Sequence, residues 1–211
     1  MKTPLRLIRS THWLVGLLTA LLLPPRLAAA AERFELKDGD RVLFIGDTFF
    51  EREVDYGHIE TRLTAAFPDR HITFRNLAWA ADTPMGRSRA SFDWNKSEED
   101  WLKRVREQVA LVKPTVAFLS YGMTAALESG TNGIPKFKAD MNKLMNAIEQ
   151  VSGQKVRFVL LGPMPHVPTI SGSFPEIDER NQVLGRFEQA SRELAESRPA
   201  FSFGFHVPSG R

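Results

Sequence analysis

The sequence predicts an α/β protein, a three-layer α/β/α sandwich built around one parallel sheet of four or five strands. The run at 41–48, RVLFIGDT, has four apolar residues directly before a Gly-Asp turn. A short continuous apolar run bounded by turn residues is typical of a strand buried on both faces, as in a parallel sheet. Similar runs alternate with amphipathic stretches at intervals of about 20 to 40 residues, which favours right-handed βαβ units.

Apolar or alternating runs predict the strands, and apolar residues spaced three or four apart predict the helices. In chain order we expect a strand at 42–45, a helix at 56–67 that ends at Pro68, a strand at 71–77, a helix at 98–112 with the capping signal Ser97-Glu-Glu-Asp100, a strand at 115–121, a helix at 136–151, a strand at 156–161 and a helix at 177–197. Gly/Pro-rich segments at 128–135 and 162–175 are predicted surface connections. The segment 199–211 offers one short aromatic strand and is otherwise expected to be an irregular or truncated tail.

Residues 1–31 have the pattern of a secretory signal peptide. A basic start precedes an uncharged, largely apolar stretch from Trp13 to Leu23, and four alanines at 28–31 offer small-residue cleavage sites. An N-terminal membrane anchor is the alternative, but two prolines and an arginine interrupt the apolar run short of the ~20 residues that span a bilayer. We therefore expect a secreted or periplasmic protein without stable membrane insertion after signal cleavage.

Charge and cysteine content exclude several classes of protein. Four of the 28 basic residues and none of the 25 acidic residues lie in the first 31 positions, so the rest of the chain carries 24 basic and 25 acidic residues. This balance gives no electrostatic indication of nucleic-acid binding. The absence of cysteine excludes a disulfide framework and a lipoprotein anchor. We expect no metal or cofactor, because no His/Asp/Glu cluster has metal-ligand spacing and no phosphate-cradling glycine motif occurs. The length suits one domain, and we expect a monomer.

Three sequence blocks follow predicted strands, at the edge of the sheet where open α/β folds bind ligands. They are Gly46-Asp47-Thr48, the segment NLAWAADT at 76–83 and the segment YGMT at 121–124. Together they resemble the first three blocks of the SGNH/GDSL hydrolases, and the resemblance covers residues 41–198. It implies the flavodoxin-like SGNH hydrolase fold and a secreted esterase that acts on acyl esters, among them acetylated carbohydrate. Two alternatives stay open: a non-catalytic domain that binds a carbohydrate or acyl ligand on the same fold, and an extracellular scaffold with no small-molecule site.

By this resemblance Thr48 occupies the position of the nucleophilic serine, and Ala81 and Thr124 occupy the positions of two oxyanion donors. A threonine hydroxyl can attack an ester when a base lies within hydrogen-bond reach, although its methyl group crowds the attack. The other interpretation is that Thr48 only caps the turn, its oxygen accepting backbone N–H groups. Ala81 keeps the main-chain N–H of the glycine that it replaces, but alanine disfavours positive φ. Thr124 replaces an asparagine amide with a shorter hydroxyl that donates a single hydrogen bond.

The resemblance also implies an Asp-x-x-His motif near the C-terminus, which supplies the general base. This chain departs from it, because Phe203 stands three residues before His206. His166 follows the fourth predicted strand and is a candidate base by its position, with an ordinary loop histidine as the alternative. Asp47 is expected to orient the turn, and an acid–base role is its second interpretation. Since the serine, the asparagine and the Asp-x-x-His motif are all changed, we expect ester hydrolysis to be weak or absent.

Overall fold

A five-stranded parallel sheet forms the middle layer of the protein. The computed structural model describes residues 34–90, 95–167 and 177–205. The strands are β1 (Arg41–Gly46), β2 (Thr73–Asn76), β3 (Val116–Ser120), β4 (Arg157–Leu161) and β5 (Ala200–Phe203), in the order β2-β1-β3-β4-β5. Each neighbouring pair of strands is parallel. The predicted fold class is confirmed.

Helices cover both faces of the sheet. They are α1 (Thr48–Tyr56), α2 (His58–Ala66), α3 (Glu98–Val112), α4 (Met123–Ser129), α5 (Ile134–Ser152) and α6 (Ile177–Ser197). The main core lies where α3, α5 and α6 pack against the side chains of Leu43, Leu119 and Leu160. On the other face, the Phe44 ring stacks on Phe50 of α1 with ring centroids 5.1 Å apart. This packing holds α1 against the strand that precedes it.

The predicted helix bounds match α3 and α6, and they lie within two residues of the observed ends of α2 and α5. The helix predicted at 56–67 corresponds to α2, and α1, which begins at Thr48 and is separated from α2 by Gly57 at φ +64°, was not predicted. The segment 128–135, predicted as a surface connection, is helical instead. There α4 runs to Ser129, a 3-10 turn spans Gly130–Gly133, and α5 begins at Ile134.

The fifth strand comes from the C-terminal segment. The short aromatic strand that the segment 199–211 offered is present, since Ala200–Phe203 pair with β4 and the Gly162 N–H donates to the Phe203 carbonyl at 3.0 Å. Phe203 stays 52% exposed, because β5 is an edge strand. Beyond it, the Phe205 ring meets the Phe49 ring at 5.0 Å between centroids. The chain after β5 therefore returns to the first turn of α1.

The predicted signal peptide at residues 1–31 lies outside the described residues. The same holds for 168–176, most of the second predicted surface connection, and for His206. In the part of the chain that the structure describes, no helix is both long enough and apolar enough to cross a membrane.

Candidate functional site

Thr48 is the first residue of α1, directly after β1 at the carboxyl edge of the sheet. Asp47 caps this helix: its carboxylate accepts from the Phe49 N–H at 3.4 Å, and its own N–H donates to the Ser120 carbonyl at 2.9 Å. Gly46 allows the close approach of the two strands, since a Cβ there would lie 2.4 Å from the Ser120 carbonyl oxygen. The cap of α1 is thus Asp47, and the Thr48 hydroxyl is left for a different contact.

That contact comes from the main chain of Ala81. The Ala81 N–H donates to Thr48 Oγ1 at 3.1 Å. Ala81 has φ +54°, a left-handed conformation that costs a non-glycine residue about 1–2 kcal/mol. The Ser88 hydroxyl donates to the Ala81 carbonyl at 2.8 Å and helps to hold this conformation. The amide that the resemblance identifies as an oxyanion donor therefore points at the oxygen in the nucleophile position.

A buried ion pair holds the loop that carries Ala81. The Asp82 carboxylate accepts from Arg89 Nε at 2.8 Å and from the Ser88 N–H at 3.1 Å. Arg89 Nη1 donates to Gln108 of α3 at 2.9 Å. Asp82 is 1% exposed and Arg89 7%, so neither charge is solvated by bulk water. The sequence analysis did not single out Arg89, whose only signal was its position seven residues after the aspartate.

The carboxyl of Asp47 is desolvated beneath the turn. Burial is the main cause that raises the pKa of Asp47 to about 7, and the nearby Asp82 charge raises it further. The backbone N–H groups of Phe49 and Met123 favour the charged form and limit the rise. Burial also raises the pKa of the Tyr121 hydroxyl, which lies near the same carboxylates. Near neutral pH, Asp47 can therefore take up or release a proton next to the nucleophile position.

Thr124 lies in the first turn of α4, directly after β3. Because β1 and β3 are neighbours in the sheet, Thr48 and Thr124 follow adjacent strand ends. No hydrogen bond between their hydroxyls is present. Among the described residues, the hydrogen-bond partner of the Thr48 hydroxyl is the Ala81 N–H.

His166 follows β4, and its main chain is fastened to α6. The His166 N–H donates to Asn181 Oδ1 at 2.8 Å, and Asn181 Nδ2 donates to the His166 carbonyl at 2.9 Å. Asn181 was not foreseen, because an asparagine within a helix of charged residues carries no specific sequence signal. The pair fixes the backbone that carries the candidate base.

A cavity of about 530 Å³, here called the Thr48 cleft, opens beside the nucleophile position. Its lining combines Asp47, Thr48, Phe49, Arg52, Glu53 and Tyr56 of the first strand end and α1 with Met123, Leu127 and the segment 163–166. The volume falls in the range of about 300–1,000 Å³ that is usual for small-molecule sites. The structure thus brings Thr48, Asp47 and His166 to one cavity. Ala81 touches Thr48, and Thr124 directly follows the lining residue Met123.

Comparison with solved structures identifies the fold. A gut microbial diltiazem-metabolizing enzyme superposes with a TM-score of 0.56 at 17% identity over 83% of this chain, which spans 39% of that enzyme's length. A variant of the acetyl xylan esterase Axe2 from Geobacillus stearothermophilus gives 0.55 at 16% identity, covering 80% of this chain and 78% of that one. A lipase/acylhydrolase from Enterococcus faecalis gives 0.50 at 18% identity, covering 77% and 74%.

Sequence comparison adds no closer relative, since no protein-family model and no curated protein sequence matches the chain. At 13–18% identity the likeness to solved structures is one of fold. That fold is the one of the SGNH/GDSL esterases, lipases and acetyl xylan esterases, as the three sequence blocks predicted.

Proposed function

We propose that this chain is a secreted protein that binds acyl esters in the Thr48 cleft and hydrolyses them weakly. The observation that carries the proposal is the 3.1 Å hydrogen bond from the Ala81 N–H to Thr48 Oγ1 at the wall of a cavity of about 530 Å³. An acyl-transfer site needs a hydroxyl and an amide donor around one reacting atom, and this contact supplies both. Secretion rests on the signal-peptide pattern at residues 1–31.

Weak activity follows from how the Thr48 hydroxyl is bonded. Its oxygen accepts from an amide, and no described side chain accepts its proton, so nothing in the described residues raises its nucleophilicity. Thr124 presents a hydroxyl where the resemblance calls for an amide. The loss of one oxyanion donor typically costs about 3 kcal/mol of transition-state stabilisation, or about a hundredfold in rate.

A non-catalytic domain that binds an acyl or carbohydrate ligand is the second candidate. The same hydrogen bond favours it, because a hydroxyl engaged by an amide and lacking a base can serve as a fixed polar contact for a ligand. The mostly apolar lining of the Thr48 cleft supports the acyl ligand over the carbohydrate.

Hydrolysis of p-nitrophenyl butyrate by the chain without residues 1–31 tests the proposal. We expect a rate slightly above buffer that falls to the buffer rate in Thr48→Ala and rises less than tenfold in Thr48→Ser. Thr61→Ala, an exposed threonine on α2, is the matched control and should leave the rate unchanged. A rate no higher than that of buffer would support the non-catalytic candidate, and a weak rate that survives Thr48→Ala would contradict hydrolysis through Thr48. Turnover of many per second that vanishes in Thr48→Ala would contradict the weak-activity proposal.

A further inference from the structure

A second cavity adjoins the Thr48 cleft. It has a volume of about 230 Å³, lies between α4 and α6, and is here called the α6 chamber. Met123, Leu127 and His166 line both cavities. A ligand that passes these three side chains can therefore occupy both cavities at once.

The Thr48 cleft suits an unbranched apolar chain. Thr48, Arg52 and Tyr56 lie four residues apart on one face of α1, so the cleft follows this helix for about 12 Å, the extended length of an acyl chain of eight to ten carbons. The Arg52 guanidinium pairs with Glu51 at 3.4 Å, and the Glu53 carboxylate accepts from the Ile59 N–H. The side chains of Arg52 and Glu53 thus have partners within the protein, while the exposed apolar side chains of the lining remain for a ligand.

Large apolar side chains are exposed at the mouth of the same cleft. Tyr56 is 67% exposed, Leu127 64% and Met164 45%. Scattered single apolar residues are ordinary on a protein surface, but these three line one cavity. Burying them against a ligand removes apolar surface of the protein from water as well as that of the ligand.

The α6 chamber has a different chemistry. Glu179 and Arg180 of the first turn of α6 line it, and neither makes a hydrogen bond or an ion pair with another described residue. Arginine offers five N–H donors, and glutamate offers carboxylate acceptors. Their opposite charges disfavour a head group that carries a full charge of either sign. A neutral group with several hydroxyls can accept from Arg180 and donate to Glu179.

We propose that the two cavities together bind a neutral amphiphile, a medium-chain monoester of a polyol. The acyl chain occupies the Thr48 cleft, the polyol occupies the α6 chamber, and the ester lies between them, next to Met123 and His166. The orientation of the ester rests on the proposed function. The binding of the chain and of the head group rests on the two cavities alone.

Non-hydrolysable octyl glucoside tests this binding, because its affinity does not depend on any ester chemistry. Binding is followed by amide chemical shifts of the chain without residues 1–31, with every probe kept below its micellar concentration. We expect octyl glucoside to bind at least tenfold more tightly than glucose, octanoate or octyltrimethylammonium. Shortening the chain to hexyl should weaken binding about fourfold for each methylene removed. Octylglycerol, measured beside octyl glucoside, distinguishes a glycerol head group from a sugar.

Two variants with matched controls localise the ligand. Leu127→Ser should weaken the binding of octyl glucoside about tenfold. Leu111→Ser, which changes a leucine on α3 that is 87% exposed, should have no effect on this binding. Arg180→Gln should remove most of the difference in affinity between octyl glucoside and octanoate. Arg186→Gln on the same helix should leave this difference unchanged.

The outcomes separate this proposal from the proposed function. Equal affinity for all octyl probes would overturn the polyol head group, and binding that is insensitive to Leu127→Ser would overturn the chain site. If octyl glucoside binds as expected while no ester is hydrolysed, the amphiphile site stands and the hydrolytic function fails. If esters are hydrolysed through Thr48 while octyl glucoside does not bind, the amphiphile proposal alone is overturned.

Discussion

The two sides of the Thr48 cleft are built differently. The Thr48 corner, which comprises Asp47, Thr48, Ala81, Asp82 and Arg89, contains hydrogen bonds of 2.8–3.4 Å and three buried ionisable side chains. The His166 wall, which comprises Met123, Leu127 and residues 163–166, is mostly apolar, and two hydrogen bonds from Asn181 hold the backbone of His166. Catalysis needs both the nucleophile and its base in fixed positions. The corner is fixed by buried hydrogen bonds, whereas the wall is mostly an apolar surface.

Breaking the buried ion pair should have the largest effect on the Thr48 corner. Arg89→Met leaves the Asp82 carboxylate buried without its counter-charge, and we expect a loss of about 3–5 kcal/mol in the free energy of unfolding. Unfolding in urea measures this loss of free energy. Adding Asp82→Asn to Arg89→Met should recover part of the loss, while Lys103→Met, which removes an exposed pair with Glu107, should cost less than about 1 kcal/mol. A loss below 1 kcal/mol for Arg89→Met would show that this pair does not hold the corner.

Asp47 makes the stability of the corner depend on pH. Its pKa is raised from 3.8 to about 7, so the folded protein binds this proton more tightly than the unfolded chain does. The stability that it contributes is fully present below about pH 4 and is lost as the pH rises through 7, by at most about 4 kcal/mol. Asp47→Asn keeps a good helix cap and removes the titration.

The measurement is the free energy of unfolding of the parent and of Asp47→Asn between pH 4 and pH 8. The value for the variant minus that for the parent should increase from pH 4 to about pH 7 and then level off. The exposed Asp55→Asn on the same helix should show no such trend. A constant difference for Asp47→Asn would mean that Asp47 is ionised throughout and that its burial does not govern its titration.

Sequence patterns predict the sheet and the turns at its carboxyl edge well, because apolar strand runs and strand-end turns are local signals. The corner itself depends on contacts that are distant in sequence. Ala81 adopts φ +54° against the preference of alanine, and Arg89 reaches Gln108 on α3. The start of α1 was missed because Phe49 and Phe50 continue the apolar run of β1, which hides the cap at Asp47. The cleft was not foreseen, since the sequence patterns predicted neither α1 nor α4, which both line it.

Relieving the strain at Ala81 should have the smallest effect on stability. Ala81→Gly should raise the free energy of unfolding by no more than about 1 kcal/mol, because the relief of a left-handed conformation is partly offset by the entropy of glycine. Lys113→Gly is the matched control, since Lys113 has φ +48° at the end of α3. Thermal unfolding of both variants measures the effect. A loss of stability in Ala81→Gly alone would show that the alanine methyl group packs in the corner.

The central claim is that the Thr48 hydroxyl is positioned but not activated. The rate at which an aryl alkylphosphonate labels Thr48 tests it most directly, because this reagent reacts with an activated hydroxyl without any turnover. Intact mass and peptide mapping of the chain without residues 1–31 give the rate and the site, with His166→Gln measured in parallel. The account predicts no adduct on Thr48 beyond that on other hydroxyl residues after hours of exposure, and no change in His166→Gln. A one-to-one adduct on Thr48 within minutes, abolished in His166→Gln, would contradict the account and establish His166 as the working base.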